Sequence, residues 1–116
     1  MGKIVIKKEI KNSIGIIRPV GYVDENGGIA IGQAVDELFN EGVVNILLDF
    51  TEAPVINSMG IARLIELAEI IVDEKGGNLG YTGLSEVSFG VFKMVGLLAM
   101  GDVFSDEKKA LEKLSD

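Results

Sequence analysis

The stretch from Val44 to Leu64, VNILLDFTEAPVINSMGIARL, constrains the fold of this chain more than any other. Its apolar run is nearly continuous as far as Phe50, which predicts a strand that is buried on both faces. After a polar turn and the pair Val55-Ile56, the residues Asn57-Ser58-Met59-Gly60 open a pattern with helical period. A buried strand followed by a helix is the unit of a parallel α/β sheet, and Ser58 stands at the exposed start of that helix.

Two segments before this stretch predict an antiparallel β-hairpin. Lys3 to Ile10 and Ile14 to Val23 alternate in the manner of strands on either side of the turn Lys11-Asn12-Ser13. Pro19 falls in the second strand, and because proline cannot donate to a ladder, we expect it at an edge or a bulge. The next residues, Asp24-Glu25-Asn26-Gly27-Gly28, have the composition of a turn, and we expect a turn there.

Helical spacing recurs along the rest of the chain. Apolar residues are spaced by three or four positions from Ile31 to Phe39, and Gly42 is the expected stop. We therefore predict an α/β fold in which residues 1–116 form a single domain, with a mixed four- to five-stranded sheet and four helices. The other predicted helices are Ser58–Lys75, one that Ser85 caps and that runs to Gly96, and Asp106–Leu114, and the other predicted strands are Val44–Phe50, Asn78–Thr82 and Val103–Phe104.

Composition excludes most catalytic chemistry. The 116 residues include no cysteine and no histidine, which excludes disulfides, thiolate metal sites, Ser-His-Asp triads and most zinc or iron sites. The net charge of −7 opposes binding to a nucleic-acid backbone. No segment approaches the roughly 20 apolar residues of a membrane span, and no signal peptide is visible. We therefore expect a cytoplasmic binding module that is not an enzyme and carries no cofactor or metal.

Ser58 is open to two interpretations. Either Asn57 or Ser58 caps the helix, which such residues do routinely for about 1 kcal/mol. Alternatively, Ser58 accepts a phosphoryl group from another enzyme, because unpaired N–H groups and the helix dipole tolerate added negative charge at this position. A nucleophilic serine would need an activating base, and the nearest cation, Arg63, cannot act as one.

Two aspartates follow predicted strands. Asp24 and Asp49 lie near strand ends, where open α/β sheets bind ligands, so together they would suit Mg²⁺. We favour the simpler interpretation that Asp24 starts a turn and Asp49 caps backbone amides of the following loop. The glycine-rich stretch from Gly76 to Gly83 lies between a helix and a strand, the reverse of the order in a phosphate-binding loop, so we reject it as a nucleotide site.

The third predicted helix and the residues after it are rich in large apolar side chains. Phe89 and Phe92, with Met94 and Met100, would form an apolar patch beyond the core face. Burial is the default expectation for these residues, and contact with a second copy or another partner is the alternative.

In order and spacing, five segments resemble the STAS domain family, whose best-known members are bacterial anti-sigma factor antagonists. The resemblance covers nearly the whole chain and implies a STAS-like α/β domain. The position before the serine, commonly Asp in the family, is Asn57 here, and the position after it, commonly Ser, is Met59. The segments are Gly21-Tyr22-Val23-Asp24, Ile46-Leu47-Leu48-Asp49-Phe50, Ile56-Asn57-Ser58-Met59-Gly60-Ile61, Val95-Gly96-Leu97 and Ala110-Leu111.

The resemblance also implies a mechanism. In such antagonists the unphosphorylated serine form binds an anti-sigma factor, often itself a serine kinase, and so frees the sigma factor. Phosphorylation breaks the complex, and a separate phosphatase resets it. Ser58 occupies the phosphoacceptor position. The expected partner surface is the start of the Ser58 helix with the adjoining loop, comprising Asp24, Glu25, Asn26, Asn57, Ser58, Met59, Gly60 and Arg63.

Other functions stay open at this point. One alternative is a non-switching, stressosome-like scaffold or the cytoplasmic STAS subunit of a lipid transporter. Its assembly would then not depend on the state of Ser58. A small enzyme or nucleotide-binding protein would use Asp24 and Asp49 with Mg²⁺. A homodimer is compatible with any of these roles.

Overall fold

Within residues 3–115, which the computed structural model describes, five strands form one mixed sheet in the order of the chain. The strands are β1 (Val5–Lys11), β2 (Ile14–Val20), β3 (Asn45–Asp49), β4 (Leu79–Thr82) and β5 (Asp102–Phe104). β1 pairs antiparallel with β2, and the pairings of β2 with β3, β3 with β4 and β4 with β5 are parallel. The predicted mixed α/β sheet is therefore confirmed.

The turn between β1 and β2 explains the antiparallel pair. Asn12 and Ser13 have φ angles of 53° and 65°, the left-handed conformation that two-residue hairpin turns require. The turn sets a register in which Lys11 lies opposite Ile14. The hairpin is confirmed, although β2 ends at Val20, three residues before its predicted end at Val23.

Pro19 lies in β2, which is an inner strand of the sheet, but at Pro19 only β1 pairs with it. The ladder between β2 and β3 runs only from Ile14 to Ile17 of β2, whereas the ladder with β1 continues to Val20. At Pro19 the strand therefore has the surroundings of an edge, which is where proline is tolerated.

The helices pack against both faces of the sheet. They are α1 (Glu25–Asn40), α2 (Ser58–Glu69, continued by a π-helical turn Ile70–Glu74), α3 (Glu86–Met94), α4 (Leu97–Met100) and α5 (Glu107–Leu114). The four longer helices match the predicted four. The short helix α4 was not predicted, and it is separated from α3 by Gly96, whose φ of 88° ends the preceding helix.

Alternate residues of β3 belong to two cores. Ile46 and Leu48 join the larger core, which is covered by α1 to α4. Leu47 joins a smaller core with Ile14 and Ile16 of β2, which is covered by α5. Since both faces of the strand are covered, its sequence is apolar at consecutive positions, and this is why it could be predicted as a buried strand.

The turn predicted at residues 24–28 is wrong. Asp24 is the N-cap of α1, and its Oδ1 accepts a hydrogen bond of 2.8 Å from the N–H of Gly27, so Glu25 to Gly28 form the first helical turn. Gly28, one of the glycines that suggested a turn, is instead required by the packing of two helices. A Cβ on Gly28 would lie 2.6 Å from the Cβ of Arg63 in α2, so only glycine allows α1 and α2 to come this close.

The four residues that were predicted as an apolar patch divide into two pairs. Phe92 is fully buried, with its ring centroid 5.7 Å from that of Phe50 in an edge-to-face contact, and Met100 packs against the same core. Phe89 and Met94 are 43% and 83% exposed. Burial is thus the correct interpretation for Phe92 and Met100 only.

Because one phenylalanine of α3 is buried and the other is exposed, we expect their substitutions to lower the free energy of unfolding by different amounts. We expect Phe92→Ala to lower the free energy of unfolding by about 3–5 kcal/mol, because the ring is packed between those of Phe50 and Tyr81 and leaves a cavity. We expect Phe89→Ala, the matched control, to cost about 1 kcal/mol or less. Urea unfolding of both variants measures the difference, and similar losses would contradict the assignment of Phe92 to the core.

Candidate functional site

The segments that follow β2 and β3 meet at the carboxyl edge of the sheet. Val23 and Ile56 form a short parallel bridge. The N–H of Val23 donates to the carbonyl of Val55, and the N–H of Asn57 donates to the carbonyl of Val23, each at 3.0 Å. Because Asp24 and Asn57 are the caps of α1 and α2, this bridge places the starts of the two helices side by side.

Gly60 makes this close approach possible. A Cβ on Gly60 would lie 2.5 Å from the carbonyl oxygen of Val23 and 3.2 Å from that of Asp24. These atoms belong to the backbone, which has little room to move away. Any side chain at this position would therefore push the start of α2 away from the start of α1.

Asn57, and not Ser58, caps α2. Asn57 has an extended backbone conformation, and its Oδ1 accepts a hydrogen bond of 2.9 Å from the N–H of Gly60. Ser58 is the first residue of the helix and is exposed. Within residues 3–115 its hydroxyl has no hydrogen-bond partner. The predicted cap at Asn57 or Ser58 is therefore confirmed with Asn57 as the cap, and the Ser58 hydroxyl takes no part in capping.

The electrostatic surroundings of Ser58 favour a negative charge. The first turn of α2 contains no acidic residue, and its cap, Asn57, is neutral. The positive end of the helix dipole is thus not neutralised by the helix's own side chains. An anion at such a position is typically stabilised by about 0.3–1 kcal/mol.

Arg63 connects α2 to α1. Its Nη2 donates to Oε2 of Glu25 at 2.9 Å, and its Nη1 donates to Oε1 of Glu66 at 3.3 Å. The hydrogen bond with Glu25 raises the pKa of Arg63, so the guanidinium stays charged. Arg63 lines the cleft between α1 and α2 together with Gly28, and its contacts lie on the α1 side of the helix.

Ser58 lies on the other side of α2, at the end of an apolar groove toward α3. A cavity of about 440 Å³ extends along this groove, and Ser58 contributes one wall. A second cavity of about 270 Å³ adjoins it and shares three lining residues with it. The groove is lined by Ile56, Ile61, Ala62, Ile65, Val91 and Val95 in addition to Ser58.

The eight residues predicted as the partner surface are brought together at these two helix starts. Asn26, Ser58 and Met59 are exposed, with Met59 50% exposed. Gly60 is buried, so its place in the site is to set the spacing of the helices. The remaining four are half-buried: Asp24, Glu25, Asn57 and Arg63.

The groove was not predicted from the sequence. Its signal was present, since Ile61 and Ile65 in α2, and Val91 in α3 with Val95 just after it, recur at helical spacing. No sequence pattern distinguishes a core face from a groove between two helices, so this spacing alone does not locate the groove.

The carboxylates of Asp24 and Asp49 are engaged in local hydrogen bonds. Oδ1 of Asp49 accepts from the backbone N–H of Thr51 at 3.0 Å and from its hydroxyl at 2.6 Å. Oδ2 of Asp49 lies 3.5 Å from Nε of Arg18. The prediction that Asp49 caps a backbone amide of the following loop is confirmed. The prediction that Asp24 starts a turn is wrong, because Asp24 caps helix α1. In the part of the chain that the structure describes, no cluster of three or more acidic residues is arranged to hold a metal ion.

Comparison with known proteins identifies the fold. The family model described as the STAS domain matches residues 5–110. No curated protein matches the chain by sequence. Within residues 3–115, none of the helices has the length and apolar character needed to cross a bilayer.

Several solved structures share this fold. An anti-sigma factor antagonist from Mycobacterium paratuberculosis superimposes with a TM-score of 0.81 at 18% identity, covering 98% of this chain and 96% of that chain. SpoIIAA, a cell fate determinant of Bacillus solved in its phosphorylated form, gives 0.72 at 17% identity, covering 94% and 98%. A sulfate transporter family protein from Wolinella succinogenes gives 0.74 at 23% identity, covering 90% and 87%.

Because Asn57 caps α2 and the Ser58 hydroxyl does not, we expect substitutions at these two residues to lower the free energy of unfolding by different amounts. Asn57→Ala removes the acceptor of the Gly60 N–H, and we expect it to lower the free energy of unfolding by about 1 kcal/mol. We expect Ser58→Ala to change it by less than about 0.5 kcal/mol, because no hydrogen bond within residues 3–115 is lost. Both values follow from urea titrations, and an equal loss for Ser58→Ala would identify its hydroxyl as part of the cap.

Proposed function

Because this chain belongs to the STAS domain family, we propose that it is an anti-sigma factor antagonist that is switched by phosphorylation of Ser58. In its unphosphorylated form it binds an anti-sigma factor that is itself a serine kinase. Phosphorylation releases this partner, and a phosphatase restores the binding form. The protein is a cytoplasmic binding protein in this proposal and catalyses no reaction itself. The observation that carries the proposal is the exposed Ser58 hydroxyl at the first position of α2, free of the capping role that Asn57 fulfils.

The fold is suited to carry the modification without unfolding. A phosphoryl group adds about −1.5 to −2 charges at neutral pH. At Ser58 these charges would stand at the positive end of α2, in a helical turn without acidic side chains. Because the start of α2 can accommodate this charge, we expect phosphorylation to act on the complex and not on the stability of the domain.

The apolar groove provides the reason why the complex would break. Ser58 forms one end of a groove whose other lining residues are apolar. A partner that inserts an apolar side chain into the groove would cover the Ser58 hydroxyl, and burying a hydroxyl without a hydrogen bond costs about 1–3 kcal/mol. It would equally cover a phosphate, and burying an unpaired ion costs several kcal/mol. A cost of about 4 kcal/mol corresponds to about a thousandfold loss of affinity.

The similar proteins support this choice among STAS functions. Structures of SpoIIAA, named as an anti-sigma factor antagonist, exist in unphosphorylated and phosphorylated forms. The antagonist from Mycobacterium paratuberculosis is similar over nearly the full length of both chains.

A second candidate function is favoured by one comparison. The Wolinella succinogenes protein of the sulfate transporter family has the same fold. In a transporter, or in a stressosome-like scaffold, the domain would bind its neighbours through a permanent interface. Binding would then be independent of the charge at position 58.

The test compares three forms of the chain as baits in lysate from the native host, with bound proteins identified by mass spectrometry. We expect wild type and Ser58→Ala to retain a kinase-type anti-sigma factor, because both leave the groove end uncharged. We expect Ser58→Asp to lose it, with an affinity lower by about 100-fold or more in a titration of the purified partner. Incubation of wild type with this partner and ATP should phosphorylate the peptide that contains Ser58.

A matched control distinguishes an effect of position 58 from the effect of adding a negative charge elsewhere on the surface. Ser105→Asp introduces the same substitution at an exposed serine between β5 and α5, and it should bind as wild type does. Retention of the same partners by Ser58→Asp would contradict the switch and support the scaffold or transporter role.

A further inference from the structure

The outer face of α3 carries apolar side chains that nothing in the described part of the chain covers. Val87 is 76% exposed and Met94 is 83% exposed, the two highest values among the exposed large hydrophobic residues of the described chain. They lie seven residues apart, which is close to two helical turns, so both project from the same side of the helix. Val91, which is half-buried, lies between them. Together these three residues form a stripe along the nine-residue helix.

Gly90 lies on the same stripe, and no contact among residues 3–115 explains the glycine at this position. A Cβ at this position would meet no atom within 4 Å. Glycine in the interior of a helix weakens the helix relative to alanine. Its effect here is to leave backbone exposed in the centre of the apolar stripe, where another helix can approach closely.

The charges that flank the stripe are complementary to those of a second α3 helix. Glu86 lies in the first turn of α3 and Lys93 in its last turn. They are seven residues apart and therefore flank the stripe on the same side. In an antiparallel pair of identical helices, the same flanks face each other, so Glu86 of each copy would lie beside Lys93 of the other. The opposed helix dipoles also favour this arrangement over a parallel one.

We propose that the protein forms a symmetric homodimer in which two copies of α3 pack antiparallel about a two-fold axis near Gly90. Val87 of one copy lies against Met94 of the other, and the Glu86–Lys93 pair forms twice. One short helix buries less than the roughly 800 Å² per partner of a standard interface, so the dimer is weak and concentration-dependent. The inference does not depend on the proposed phosphorylation switch.

The first test uses reversed charges in the full-length chain, measured by sedimentation equilibrium from about 5 μM to about 1 mM, a range that includes weak association. Wild type should dimerise within it. Glu86→Lys and Lys93→Glu should each weaken dimerisation by about tenfold or more, because each places like charges opposite each other. An equimolar mixture of the two variants should regain the dimer, since both pairs are then complementary. Glu112→Lys and Lys109→Glu, matched controls on α5, should dimerise as wild type does.

The second test addresses Gly90. Gly90→Leu should keep the fold, because the site is open in the single chain, and far-UV circular dichroism checks this. The same variant should weaken dimerisation by about tenfold or more, because the two helices can no longer approach. A wild type that stays monomeric throughout the range would overturn the proposal and leave the face to a different partner. It would also be overturned by a mixture that fails to regain the dimer, or by a Gly90→Leu variant that dimerises normally.

Discussion

The contact between Val23 and Ile56 is the interaction on which the site depends. Its two backbone hydrogen bonds join chain segments that follow different strands and lead into different helices. This contact places the starts of α1 and α2 side by side. Gly60 allows the close approach, and the Arg63–Glu25 ion pair depends on the spacing that results.

The parts of the fold that could be predicted from sequence are those determined within one element. β3 is buried on both faces, so its apolar run identifies it without reference to the rest of the chain. The start of α2 could be located in the same way, because Asn57 and the helical period after it are local signals. The exposure of Ser58 follows from that position alone.

The errors arose where a residue is explained by a distant partner. Gly27 and Gly28 indicated a turn, but Gly28 is required by Arg63, which lies 35 positions further along the chain. In α3 the apolar residues cover more than one side of a nine-residue helix, so the buried side could not be assigned from their spacing. Phe92 is buried because β3 and β4 place Phe50 and Tyr81 beside it, and that arrangement is a property of the folded sheet.

The close packing of α1 on α2 also determines how information can leave this domain. Where a single added carbon at Gly28 or Gly60 would collide with its neighbours, the two helices have little room to slide or tilt at these points of contact. In the proposed switch, we therefore expect a phosphoryl group on the Ser58 oxygen to leave the packing of α1 on α2 unchanged. Under the proposed switch, the domain would present a rigid surface whose charge changes at one atom, and a partner would distinguish the two forms by contacting that atom directly.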